Sequence, residues 1–110
     1  MTNEFGERLD RNGYAPSLLQ CEYNQNECFM CGGICEVVRH EVFYGVANRE
    51  NSKRLGCWVT LCPGCHRRLH EKHEGDKGLK QYAQYIAMNH YSWTEDDFRK
   101  VFGKSYVKVS

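Results

Sequence analysis

The apolar positions fall into short blocks separated by polar and glycine-rich stretches, and each block carries a recognisable period. The run ICEVVRHEVF, Ile34 to Phe43, is rich in β-branched and apolar residues and predicts a strand. The fourteen residues from Phe43 onward, FYGVANRENSKRLG, are mostly polar or glycine. They are too many for a tight hairpin turn and read as a long loop of the kind that carries function. A second short strand is expected at Cys57 to Leu61, CWVTL, after which Pro63 stands at a first helical position. Cys65, Leu69 and Lys72 or His73 recur at helical spacing through about Glu74, and Gly75 and Gly78 then punctuate the chain. Leu79, Tyr82, Tyr85, Ile86 and Asn89 give the apolar stripe of a second helix. A third begins after Thr94, whose hydroxyl caps a first turn filled by Glu95, Asp96 and Asp97, with Phe98, Val101 and Phe102 as its apolar side. Residues 1–20 show no sustained period and contain Gly6, Gly13 and Pro16, which predicts an irregular or weakly docked arm.

At 110 residues this is about one domain's worth of chain, and a core of that size benefits from an additional staple. Seven cysteines supply candidates. The start, MTNEFGERLDRNG, carries charges where the apolar core of an export signal would lie, and no apolar run reaches the roughly 18 residues of a membrane span. A reducing cytoplasm is therefore expected, and there cysteines point to metal before disulfides. The net charge of +1 hides a gradient: residues 39–80 hold nine basic and five acidic side chains, residues 1–38 two and six. The middle of the chain is where a phosphate backbone would lie.

That middle carries the chemistry. Cys28 and Cys31 in CFMCGG and Cys62 and Cys65 in CPGC form two CxxC pairs thirty residues apart. Two residues between cysteines let one turn of backbone bring both sulfurs to a single ion, and four thiolates close a tetrahedral structural zinc site. Cys21, Cys35 and Cys57 are left over and read as partly buried small apolar residues. His66 and His70 lie four apart on the predicted helix, so both imidazoles leave one face and can share an ion. His40, in the first strand, could fold back over that helix as a third ligand.

The order of strand with RHEVFYG, long loop with NRENS, short strand WVTLC and helix with CHRRLH resembles the HNH nucleases and their ββα-metal fold, in the subset where four cysteines clamp the hairpin to the helix. The likeness covers about residues 28–74; HEVFYGVANRENSKRLG, KQYAQ and FRKVFGKSYV are similar to small phage and prophage HNH proteins. The expected architecture is thus α+β: a small ββα-metal, treble-clef-like domain over 21–110 with structural zinc and additional C-terminal helices over 78–103, preceded by the arm.

The resemblance implies metal-dependent DNA endonuclease or nickase activity. Carried over position by position, His40 falls on a metal ligand, His66 and His70 on the two helical histidines, and Glu41 on the general base, where the family usually has histidine. An alternative frame makes His40 itself the base. The family's central asparagine falls near Cys57, and Asn48 and Asn51 are the nearest candidates to replace it. Three imidazoles suit Zn2+, Ni2+ or Mn2+ better than Mg2+ as the catalytic divalent cation. Arg49, Lys53, Arg54, Arg67 and Arg68 would supply phosphate contacts to DNA. A zinc-stabilised nucleic-acid-binding module without turnover is the competing reading, and homodimerisation is compatible with the sequence but not argued by it.

Overall fold

The computed structural model describes residues 1–107, so the last three residues of the expected 21–110 domain lie outside the described residues. Two strands, β1 (Val38–Glu41) and β2 (Trp58–Leu61), pair antiparallel with His40 opposite Val59 and Glu41 opposite Trp58. Four helices accompany them: α1 (Asn48–Arg54), α2 (Pro63–Lys72), α3 (Asp76–Tyr91) and α4 (Glu95–Phe102). The class is α+β, as expected from the alternation of periods. No described helix is long and apolar enough to cross a membrane.

β1 is shorter than the predicted Ile34–Phe43. Ile34 pairs only with Glu27 in an isolated bridge beside the first CxxC turn, and Val42 and Phe43 leave the ladder in a bend that sends both side chains fully into the core. The expected long loop contains a helix. NRENSKR has no apolar residue to announce α1, and only Ser52 in it is buried. The helix is held by polar reach instead: Asn48 and Asn51 donate to the carbonyls of Phe102 and Val101 at the end of α4, at 3.1 and 2.9 Å.

β2 is buried at every position because both its faces are covered. The arm forms the second cover. Ser17 Oγ donates to the Trp58 carbonyl at 2.6 Å, Trp58 Nε1 to the Ala15 carbonyl at 2.8 Å, and Gln20 brackets Thr60 with bonds in both directions. Residues 1–20 are irregular, as expected, but they are docked rather than loose. Gly56, at φ +73°, admits this contact, since a Cβ there would run into the Pro16 carbonyl oxygen.

Helix α2 starts at Pro63 as predicted, with Cys62 as N-cap, and α4 carries a full capping box between Thr94 and Asp97. In α3 the stripe is rotated from the expected one. Leu79, Ala83, Gln84 and Ala87 are buried, whereas Tyr82 and Tyr85 face solvent. Small alanines let α3 lie close, and the tyrosines mislead because their rings count as apolar in a period. Phe43, Phe98 and Phe102 form the aromatic centre of the core, with ring centroids 4.5–5.2 Å apart.

Glu7 ties the arm to the end of α3. Burial pushes its carboxyl pKa up, but hydrogen bonds from Tyr91 (2.6 Å), Asn3 (2.9 Å) and His90 (2.8 Å) outweigh that and hold it below the ordinary value. A depressed folded-state pKa stabilises the protein above the unfolded value, about 4.3, and the contribution disappears as pH falls through the folded value. Glu7→Gln should therefore cost about 1.5 kcal/mol at pH 6 and much less at a pH below the folded-state value. Urea melts of both proteins at the two pH values measure the difference.

Candidate metal centres

The four CxxC cysteines converge. Their sulfurs lie within 4.8 Å of one another, with Cys31 Sγ and Cys62 Sγ 4.0 Å apart. Each pair uses the same local device, a tight turn that aims the second cysteine's N–H at the first sulfur: Cys31 N to Cys28 Sγ at 3.5 Å and Cys65 N to Cys62 Sγ at 3.4 Å. Burial raises the Cys28 thiol, yet the N–H groups around it bring it down to about 6. The Cys65 N–H lowers Cys62. Burial and the neighbouring thiols drive Cys65 up to about 12. Two thiolates are thus favoured while a cluster of four repels itself, which is the electrostatic situation a bound cation resolves. The cluster could hold a structural metal ion, and it joins the segment before β1 to the start of α2.

Of the remaining cysteines, Cys57 is buried, as read from the sequence, and its thiol is pushed up to about 12 by burial. Cys21 and Cys35 are exposed, contrary to the expectation of partial burial. The turn around Gly32, at φ +74°, carries Cys35 outward beside the four-cysteine cluster.

The second centre is built on β1 and α2. His40 points inward from the strand and is 2% exposed; its ring centroid lies 5.3 Å from that of His66 and 5.2 Å from that of His70. One turn of α2 aligns His66 and His70, whose Nε2 atoms approach to 3.1 Å. One nitrogen from each of the three rings lies within 4.8 Å of the others. Burial, then the other two histidines, lowers the His40 pKa to about 3, and burial followed by His70 lowers His66. These two imidazoles are held neutral, with lone pairs available. His40 Nε2 is buried with no hydrogen-bond partner, an anomaly in a folded protein. Three convergent imidazoles with an orphaned buried nitrogen fit a divalent cation.

The histidines open into a cavity of about 160 Å³, also lined by Arg39, Glu41, Tyr44 and Arg49. Regular alternation would send residues 40 and 41 to opposite faces, but Glu41 is the last residue of β1 and the chain bends immediately after it. Both therefore reach the cavity. Tyr14, from the arm, donates to Glu41 Oε2 at 3.1 Å; burial and then the Glu41 charge push the Tyr14 phenol up to about 12. Arg39 lies over the Tyr14 and Trp58 rings and pairs with Asp10 at 2.9 Å. It also borders a larger cleft of about 400 Å³ between the arm and the sheet.

Of the five predicted phosphate contacts, Arg49 lines the histidine cavity and Arg67 is exposed on α2. The other three already have partners within the chain: Lys53 with Glu50 at 3.6 Å, Arg54 with Glu4 at 2.8 Å, and Arg68 with Cys65 Sγ at 3.2 Å. Asn48 and Asn51 do not brace the loop across the hairpin; they cap α4. That bracing falls to Ser52, whose buried hydroxyl accepts from Phe43 N at 3.1 Å and donates to Phe43 O at 2.7 Å. No sequence signal marked it, since a serine in a polar run looks solvated. Ser52→Ala should leave a buried N–H and C=O unpaired and cost about 2 kcal/mol, measurable as a shift in the urea midpoint.

Comparison of the chain with profiles of known protein families, with curated proteins and with solved structures finds no match.

Proposed function

We propose that this protein is a metal-dependent endonuclease of the HNH type that hydrolyses phosphodiester bonds in DNA. The observation that carries the reading is the convergence of His40, His66 and His70 beside an acidic side chain and two guanidinium groups in one cavity. In this reading the four cysteines hold a zinc ion that fastens the hairpin to α2, and the three histidines hold the catalytic divalent cation. That cation, when bound, neutralises charge on the scissile phosphate and the departing oxygen.

The chain's own residues do the rest. Glu41 takes a proton from the attacking water as the new P–O bond forms and the old one breaks; its carboxylate is oriented by Tyr14. Arg49 binds a flanking phosphate, a contact that positions the backbone without reading bases, while Arg39, paired with Asp10, shapes the rim of the cavity. In this reading His40 serves as ligand rather than base, because its ring is buried and converges with His66 and His70.

Single-turnover cleavage of labelled duplex and single-stranded DNA tests the assignment. Glu41→Gln should keep the metal and lose at least about 100-fold in rate. Arg49→Ala should weaken DNA binding at every sequence and flatten its salt dependence without unfolding the domain. Tight DNA binding by the wild type with no cleavage under any divalent ion would replace the nuclease by a zinc-stabilised binding module.

A further inference from the structure

Among the described residues, two buried side-chain polar atoms have no hydrogen-bond partner: His40 Nε2 and Asp76 Oδ1. Unpaired buried groups are rare in folded proteins, and here Tyr44 connects the two residues that carry them. Asp76 opens α3 and is 7% exposed. Its other oxygen, Oδ2, accepts from the Tyr44 hydroxyl at 2.8 Å and from Lys80 Nζ at 3.1 Å. The Tyr44 ring in turn packs against the histidines, its centroid 4.9 Å from that of His70 and 5.9 Å from that of His40. Lys80 Nζ also lies over the Tyr44 ring, 4.1 Å from its centroid. His73 Nδ1, 3.9 Å from Oδ2, completes the surroundings.

A carboxylate is costly to bury without full compensation, and here one oxygen is left bare. A lone ion pair with Lys80 would be satisfied at the surface and needs no such burial. Neutral imidazoles bring no charge to a dication, so a nearby negative charge is what strengthens such a site.

We propose that Asp76 is the outer carboxylate of the three-histidine centre, a positioning residue whose charge strengthens cation binding and whose bond to Tyr44 fixes the wall against which His40 and His70 are oriented. This rests on the reading of the three histidines as a metal site. Asp76 touches neither substrate nor ion. Lys80 then acts in the opposite sense, since its ammonium offsets part of the Asp76 charge, and the strength of the site reflects the balance between the two.

The test is calorimetric titration of Mn2+ and Ni2+ into the chain with its cysteine site already zinc-loaded, zinc content and melting temperature being followed in parallel. Asp76→Asn keeps an acceptor for Tyr44 and the size of the side chain. It should weaken binding at the histidines about 10- to 100-fold, with zinc content and fold unchanged. Lys80→Met should strengthen the same binding severalfold. Tyr44→Phe should fall between Asp76→Asn and wild type. Opposite signs for Asp76→Asn and Lys80→Met are the signature that a merely structural network would not produce. Unchanged affinity in Asp76→Asn, or equal weakening by Asp76→Asn and Lys80→Met, overturns the proposal while leaving the metal site standing. Absence of any second ion in the wild type would overturn both.

Discussion

A chain carrying Cys28→Ser or Cys62→Ser should retain no tightly held zinc and should lose its cooperative melting transition at ordinary temperatures. The cluster joins segments thirty residues apart, and the first pair lies in an irregular stretch otherwise held by the Glu27 to Ile34 bridge, bonds from Thr60 and Gln20 to the Glu27 carbonyl, Phe29 N to the Thr60 carbonyl, and Cys28 itself in the core. Structural zinc contributes about 10 to 16 kcal/mol in small domains, as much as the whole net stability of a domain of this size. Removing one thiolate forfeits most of that and leaves the other sulfurs clustered without a counter-ion. Metal content after dialysis and thermal melting by circular dichroism measure the two effects together. Two-state melting of either variant at the wild-type temperature without zinc would mean that the hydrophobic core suffices alone.

His66→Ala and His70→Ala should have the opposite profile, with folding and zinc intact and function gone. Both side chains are only partly buried, and neither carries a core contact comparable to that of Leu69 between them. Loss of either leaves two imidazoles for the second ion, and cleavage should fall by about three orders of magnitude, some 4 kcal/mol of transition-state stabilisation. His40→Ala should also release the ion, but it opens a cavity under β1 and should cost stability as well. The contrast between helical and strand histidines is read by running melting curves alongside the rates.

The sequence made the two clusters legible because their signals are short-range: CxxC and HxxxH fix distances within a turn of backbone, and the capping residue Thr94 and Pro63 fix helix starts. What it concealed depends on contacts between distant segments. α1 has no apolar face and stands on side-chain bonds to α4 and to Phe43, so periodicity could not show it. The arm lacks a period because it packs by single residues, Ala15, Leu19 and Gln20, against a strand already covered on its other side. Tyr14, Arg39, Tyr44 and Asp76 reach the histidine cavity or its wall from three different places in the chain. Of these, only Arg39 and Tyr44 stood near the motif in RHEVFYG, and nothing in the spacing of Tyr14 or Asp76 connected them to it.

The most direct measurement is incubation of the purified, zinc-loaded protein with supercoiled plasmid in Mn2+, Ni2+, Mg2+ or Zn2+, with and without chelator, beside the folded His70→Ala variant. The account predicts nicked or linear product with at least one added ion, abolished by chelator and absent in the variant. Plasmid left intact by the wild type under every ion, or cut equally well by His70→Ala, would contradict it.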